Sequence, residues 1–417
     1  MTKGIGMGHR LTLALLALLA ALAYAPMLTI PLLEDDYPNL WQSQNWGSPS
    51  GFAELFHNPV FRLRATSFWA MYVLWHVGKL APRVYHLASL LLHIANTWLV
   101  YGICLAWPRM RGAAVWAAGF FAIAEGHQEA VMWFSAINEL LQFLFGMGAL
   151  WCWIRGGSWR LQLAGVGLFA LALVSKESAV VMLPLLVLAG GRGEWRRTAV
   201  RLVPYVVLAA VAVAAVMASR GTSFRFSDGS FSLHAPFWIT WPRNYFRVLW
   251  IWGLAAAGAI LPVRDRVLRG SAMVALAWIG IALVPYSFLT YSTQIPSRQT
   301  YLASVGLAML FGLAMAHWQA RRGLVAAVAV VLLLHNVGYL WTKKRSQFLE
   351  RAAPTEQLIE VARRTPGPIW VRCFPRNRFI AEEAVHLGAG HASSDLVWDE
   401  AEATRRAATV VFCYQGK

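Results

Sequence analysis

Acidic side chains are scarce in this chain of 417 residues, 20 against 37 lysines and arginines, and charged residues of both signs make up only 14%. With 58% hydrophobic residues and 21 tryptophans, so low a charge content excludes an ordinary soluble globular protein. A net charge of +17 would point to nucleic acid if the basic residues formed one patch. They come instead in small groups between apolar runs, a pattern of membrane topology, and no nucleic-acid partner is implied. Cysteine is rare: Cys104 and Cys152 lie in apolar runs and Cys373 and Cys413 near the C-terminus, without metal-ligand spacing, so no zinc site is implied. Internal repeats and low-complexity segments are absent, which excludes a solenoid.

What is present is a series of apolar runs separated by short arginine-rich turns. They predict about eleven crossings: Leu11 to Leu33, Val84 to Leu105, Trp116 to Ala124, Leu140 to Ile154, Leu161 to Val174, Val180 to Leu188, Pro204 to Ala218, Tyr245 to Leu261, Ala272 to Tyr286, Tyr301 to Trp318 and Leu324 to Trp341. The arginine-rich turns all fall on one side, which places the N-terminus, with Lys3 and Arg10, in the cytoplasm. Ala23-Tyr24-Ala25 also resembles a signal-peptide cleavage site; an uncleaved anchor is the preferred reading, because apolar residues continue past Ala25. Phe52 to Leu80 is mixed in character and reads as helices in the outer interface. Lys343, Lys344 and Arg345 break the one-sided rule, yet parity puts the tail outside. The predicted fold is therefore an all-α polytopic membrane domain over residues 1–341, with a first outer loop at 34–83. A small soluble α/β module follows at 342–417, with helices at Glu356 to Arg364, Ile380 to Leu387 and Glu400 to Ala408 and strands at Ile369 to Phe374 and Thr409 to Tyr414. In an outer compartment Cys373 and Cys413, one in each predicted strand, can pair.

Three carboxylates, Glu34, Asp35 and Asp36, end the first apolar run. The negative end of a helix dipole disfavours them there, so a simple stop signal explains them poorly. Folding back the topology brings to the same side His57, Arg62 and Arg64; Glu125, His127, Glu129 and Glu139; Lys176 and Glu177; and Arg298. Ionisable groups at membrane depth are functional candidates. Carboxylates that accept a proton beside cations that steady a departing phosphate suit sugar transfer from a polyprenyl phosphate to a hydroxyl. Each group also has a plainer reading: a turn contact for His127 and Glu129, a local ion pair for Lys176 and Glu177, an interface anchor for Arg298. His86 and His93, seven apart on one helix, read as hydrogen-bonding partners of neighbouring helices.

The order of several motifs resembles the GT-C superfamily of membrane glycosyltransferases. It is similar in particular to the protein O-mannosyltransferase-like branch that in animals carries tetratricopeptide repeats and uses dolichyl-phosphate mannose. The stretches are Phe61-Arg62; Tyr85-His86-Leu87 with His93; Phe121 to Val131 followed by Glu139-Leu140-Leu141; Ser175-Lys176-Glu177; and Ser297 to Leu302, with Asp35-Asp36 in the place of the branch's acidic motif. Ala124 and Ile137 depart from the branch's common histidine and arginine, and no repeat array follows, which leaves the sugar and the acceptor open.

The resemblance implies an inverting transferase with Asp35 or Asp36 as catalytic carboxylate. Asp35 is preferred as base, with Asp36 orienting it or helping to hold a divalent cation, if one is used. Arg298 and Lys176 would contact the lipid phosphate, and His127 and Glu129 would line the acceptor side; Arg62, Glu34 and Glu177 complete the expected substrate site. The expected partners are a polyprenyl-phosphate-sugar donor and a protein, lipid or glycan acceptor, met at the outer face of a bacterial inner membrane. The alternative is a flippase for a lipid-linked glycan, which would spread its ionisable residues through the membrane depth.

Overall fold

The structure, a computed structural model, describes residues 7–190, 195–219, 232, 234–290, 292–408 and 410–415. Lys3, Arg192, most of the loop from Arg220 to Arg243 and Thr409 lie outside them. Six helices are long and apolar enough to cross a membrane: Gly8–Thr29, Pro82–Ala106, Phe134–Arg155, Arg196–Ala218, Arg266–Phe288 and Arg322–Arg364. Four shorter apolar helices join them, Arg111–Ile123, Trp159–Leu173, Glu177–Ala189 and Ser304–His317. The helix Phe237–Ile260, kinked at Trp250, covers the predicted crossing Tyr245 to Leu261, so each predicted crossing falls on a described helix. The protein is a multi-pass membrane protein.

Local chemistry sets several of these ends. Pro82 opens its helix at a position where a missing N–H costs nothing. Asp265 caps the helix after it by accepting from the Val267 and Leu268 amides. Ser304–His317 is apolar and buried on all sides from Ser304 to Met315, which marks it as the centre of the bundle. It can sit there because Gly312 meets the Ala113 carbonyl and the Ala117 amide with no room for a Cβ, which would lie 2.8 Å from each. Arg196–Ala218 is peripheral instead. Its Val200, Val203, Val206, Val207 and Val211 are exposed, an apolar stripe suited to lipid.

The first loop folds as three helices, α2 (Asp36–Trp46), α3 (Phe52–Leu55) and α4 (Ala65–Gly78), α1 being Met7–Tyr24. Trp46, Phe61 and Phe68 pack edge to face or tilted at 5.4–5.6 Å and hold them together.

The last crossing differs from its prediction. The crossing and the helix expected at Glu356 are one body, Arg322–Arg364, passing through a π-turn at Leu340–Lys344. At 1.5 Å per residue its 43 residues reach about 65 Å, twice a bilayer core. The second half carries the C-terminal module to the end of the bundle that bears Glu34, Asp35 and Asp36. There β1 (Ile369–Cys373), β2 (Leu396–Val397) and β3 (Val410–Cys413) form a parallel sheet in the order β2-β1-β3, of which β2 was not predicted. Ile359 and Ala384 of the module share a core with Leu32 at the end of the first crossing and with Tyr37, Leu40 and Phe68 of the first loop, and Phe379 meets Trp41 at 6.1 Å. The module is thus packed onto the loop.

Cys373 and Cys413 are joined as a disulfide between β1 and β3, closing 40 residues of chain. Changing both to serine is expected to destabilise the module by about 2–4 kcal/mol. Limited proteolysis would show faster cleavage between them, and the wild-type digest should yield the two peptides linked until reduced.

Candidate active site

The adjacent aspartates have opposite surroundings. Asp36 is fully buried at the start of α2. Its Oδ2 accepts from the Leu33 amide at 2.7 Å, and its Oδ1 accepts from the Ser135 amide at 2.7 Å and the Ser135 hydroxyl at 2.5 Å. It therefore ties the end of the first crossing to the turn before helix Ile137–Arg155. Burial pushes its carboxyl up to about 7, while the Ser135 and Leu33 donors pull the other way. Asp35 is exposed one residue earlier. Partial desolvation raises its carboxyl above the ordinary value, and Glu34 adds to this, against the opposing pull of Arg298, Arg351 and Arg376.

Those three arginines define the site. Glu34 has a φ of 34°, in the left-handed region that a glutamate rarely adopts. Its Oε2 lies 2.8 Å from Arg351 Nη2 and its Oε1 3.3 Å from Arg351 Nε and 2.8 Å from Arg376 Nε. Glu129 accepts from the Ser297 hydroxyl at 3.1 Å and the Arg298 amide at 3.2 Å, with the Arg298 guanidinium at 3.4 Å and that of Arg351 at 3.9 Å. Trp133 is buried, and the Arg298 and Arg351 guanidinium groups each lie 4.8 Å from its ring. Beside them Glu125 is raised, chiefly by burial, and Lys344 is its strongest neighbouring cation. The basic residues that broke the one-sided rule thus lie at the acidic end, with Arg345 3.2 Å from Thr29.

No family model matches the sequence, and no curated protein does. Solved structures do. Among them is ArnT from Cupriavidus metallidurans bound to undecaprenyl phosphate, at 13% identity and a TM-score of 0.58 over 98% of this chain and 90% of that one. ArnT in the apo state matches at 15% and 0.60 over 97% and 89%. The archaeal oligosaccharyltransferase AglB from Archaeoglobus fulgidus, in complex with an inhibitory peptide and a dolichol-phosphate, matches at 11% and 0.54 over 92% of this chain and 64% of AglB. The fold is that of the GT-C glycosyltransferases. The ArnT likeness extends over the C-terminal module as well, for which the sequence resemblance had implied nothing. None of these likenesses singles out the mannosyltransferase branch.

Within the GT-C frame, the other predicted residues are placed as follows. Lys176 is buried and does not join the arginines. It is ion-paired with Glu139, and its Nζ lies 3.2 Å from the Tyr286 hydroxyl. Glu177 pairs with Arg64 at 3.0 Å. His127 is enclosed, its Nε2 2.7 Å from the Ser304 hydroxyl and its ring against Phe121 and Tyr301; burial holds its pKa well below the ordinary value. Arg62 donates to the Asn58 carbonyl at 3.2 Å. Only Glu34, Asp35, Glu129 and Arg298 of the predicted set meet at one place, with Asp36 bracing them from below. Arg351 and Arg376 were missed.

A cavity of about 340 Å³ opens beside this place, lined by Gln128, Glu129, Arg247 and Gln294 to Ser297. A larger one, about 630 Å³, lies between the arginine-rich turns and is lined by Pro108, Arg109 and Arg201. It is far from the carboxylates in the fold and has no part in their chemistry. Among the described residues no three His, Cys, Asp or Glu side chains are grouped to hold a divalent cation, and Glu34, Asp36 and Glu129 are each taken by N–H or O–H donors.

Proposed function

We propose that the protein moves a sugar from a polyprenyl-phosphate-linked donor to an acceptor hydroxyl at the outer face of the plasma membrane, with inversion. The observation that carries this reading is the exposed Asp35 carboxylate set among three arginines where the apolar helices end. Asp35 takes the proton of the acceptor hydroxyl as its oxygen attacks the anomeric carbon. The bond from that carbon to the phosphate oxygen breaks on the opposite face, and polyprenyl phosphate leaves with the electron pair. Arg298 bears on the departing phosphate, where a guanidinium offers two parallel donors. Asp36 holds the loop, and Glu129 holds the Ser297-Arg298 turn. In this reading Lys176, Glu177 and His127 act by fixing helix ends, not by touching substrate.

Two further observations support the reading. The bound molecules named for ArnT and AglB are polyprenyl and dolichol phosphates. The site's acidic groups are matched by arginines, the condition in which an added phosphate is not repelled. Residues 1–341 form the transferase domain and 342–417 a module that covers its outer mouth. The sequence resemblance makes a mannose-like hexose the first donor to try.

The test is a glycan profile of the host envelope in a deletion strain rescued by wild type or by Asp35→Asn at equal membrane levels. Wild type is expected to restore a missing sugar and Asp35→Asn to leave it missing. Equal restoration by both would overturn the base assignment. Transbilayer movement of the intact lipid-linked sugar, with no polyprenyl phosphate released, would replace transfer by the flippase reading.

A further inference from the structure

Glu34 pairs with Arg351 and Arg376 of the module while its backbone lies in the left-handed region. Such a conformation is strained and persists where its surroundings over-determine it. Its carboxylate presents two oxygens to Arg351 in the same forked manner in which a phosphodiester presents its two free oxygens. Arg351 is also braced from behind by the Trp133 and Phe348 rings, 4.8 and 5.3 Å away, so its guanidinium stays in place if Glu34 leaves. Arg298 lies across the same Trp133 ring.

We propose that Arg351 and Arg376 of the C-terminal module, with Arg298, form a phosphate clamp, and that Glu34 is its resting occupant, displaced when the phosphate of the lipid-linked donor arrives. The inference rests on the transferase reading and extends it to the site that holds the donor's phosphate. Glu34, Asp35 and Glu129 face Arg298, Arg351 and Arg376, with Arg247 and Lys344 as further cations beside Glu129. A phosphate that takes the place of the Glu34 carboxylate against Arg351 meets cations on every side. The module is thereby part of the donor site.

The test uses the full-length protein in detergent and farnesyl phosphate as probe, with binding measured by titration calorimetry. Glu34→Gln is expected to tighten binding about tenfold by removing the competitor, and Arg376→Gln to weaken it about tenfold, the effect of one charge-assisted hydrogen bond. The opposite signs are the signature. If Glu34 only tethers the module, both variants loosen it and both move affinity the same way, which overturns the clamp, as does an unchanged affinity in either. If wild type binds no farnesyl phosphate, clamp and lipid-donor reading fall together. Opposite shifts in binding beside full envelope rescue by Asp35→Asn would leave the clamp standing and remove only the assigned base.

Discussion

Asp35→Asn is expected to lower sugar transfer by about 10²–10⁴-fold, the usual contribution of a general base, while leaving farnesyl phosphate binding within a few-fold of wild type. The substitution keeps the size of the side chain and removes only its ability to take a proton. Asp35 is exposed, and no strand or core residue depends on it, so the loss would be chemical and not a failure to fold. The pH dependence offers a separate check. Desolvation and Glu34 hold the Asp35 carboxyl above its ordinary value, and the base works only when ionised. Transfer by wild type is therefore expected to fall tenfold per pH unit on the acid side, with the bend above the ordinary aspartate value. Arg298, Arg351 and Arg376 oppose the shift, so Arg298→Gln should move that bend to higher pH as well as slow transfer. A rate measured with a labelled polyprenyl-phosphate sugar decides both. An acid bend that stays put when Arg298 is removed would show that Asp35 is not the group that titrates.

Much of this site could be read from the residues in order, and what could not has a physical reason. The apolar runs revealed the crossings because hydrocarbon thickness sets their length, and the cluster at Glu34, Asp35 and Asp36 stood out because carboxylates are costly there. Glu129 and Arg298 were found because each lies in a polar turn between apolar runs. Lys176 lies in such a turn too, yet it points into the bundle toward Glu139 and Tyr286, since a turn's sequence says which end it occupies and not which way its side chain faces. Arg351 and Arg376 were missed for a different reason. They are ordinary surface-type residues in a polar tail, and their partner Glu34 lies over three hundred residues away. The one available signal was the basic run Lys343-Lys344-Arg345 on the side where basic residues are otherwise few. It marked the place where the last helix leaves the membrane without ending, and where its cations meet the acidic loop.

The second large effect concerns stability, and it falls on the other aspartate. Asp36→Ala would leave the buried Leu33 amide and both donors of the half-buried Ser135 without this acceptor. Each unsatisfied group costs about 1–3 kcal/mol, so a loss on the order of 3–5 kcal/mol is expected, enough to lower the melting temperature in detergent by many degrees. Asp36→Asn keeps one acceptor oxygen but turns an amide N–H₂ toward a donor, and should fall between the two. The sign of the pH effect follows from the raised pKa. Burial brings the folded-state value to about 7, so between the ordinary carboxylate value and about pH 7 the folded protein holds a proton that the unfolded chain has lost. Stability from this group is thus full at low pH and declines as pH rises through that window, by up to about 1.4 kcal/mol per unit. Asp35 and Glu125, also raised, add to the same slope, so Asp36→Asn should reduce the decline without abolishing it. Melting curves of wild type and Asp36→Asn between pH 4.5 and 8 test this directly. If wild type melts no lower at pH 8 than at pH 5, Asp36 is ionised in the fold and its three donors outweigh its burial. The loop would then be held to Ser135 by a charged carboxylate instead of a protonated one.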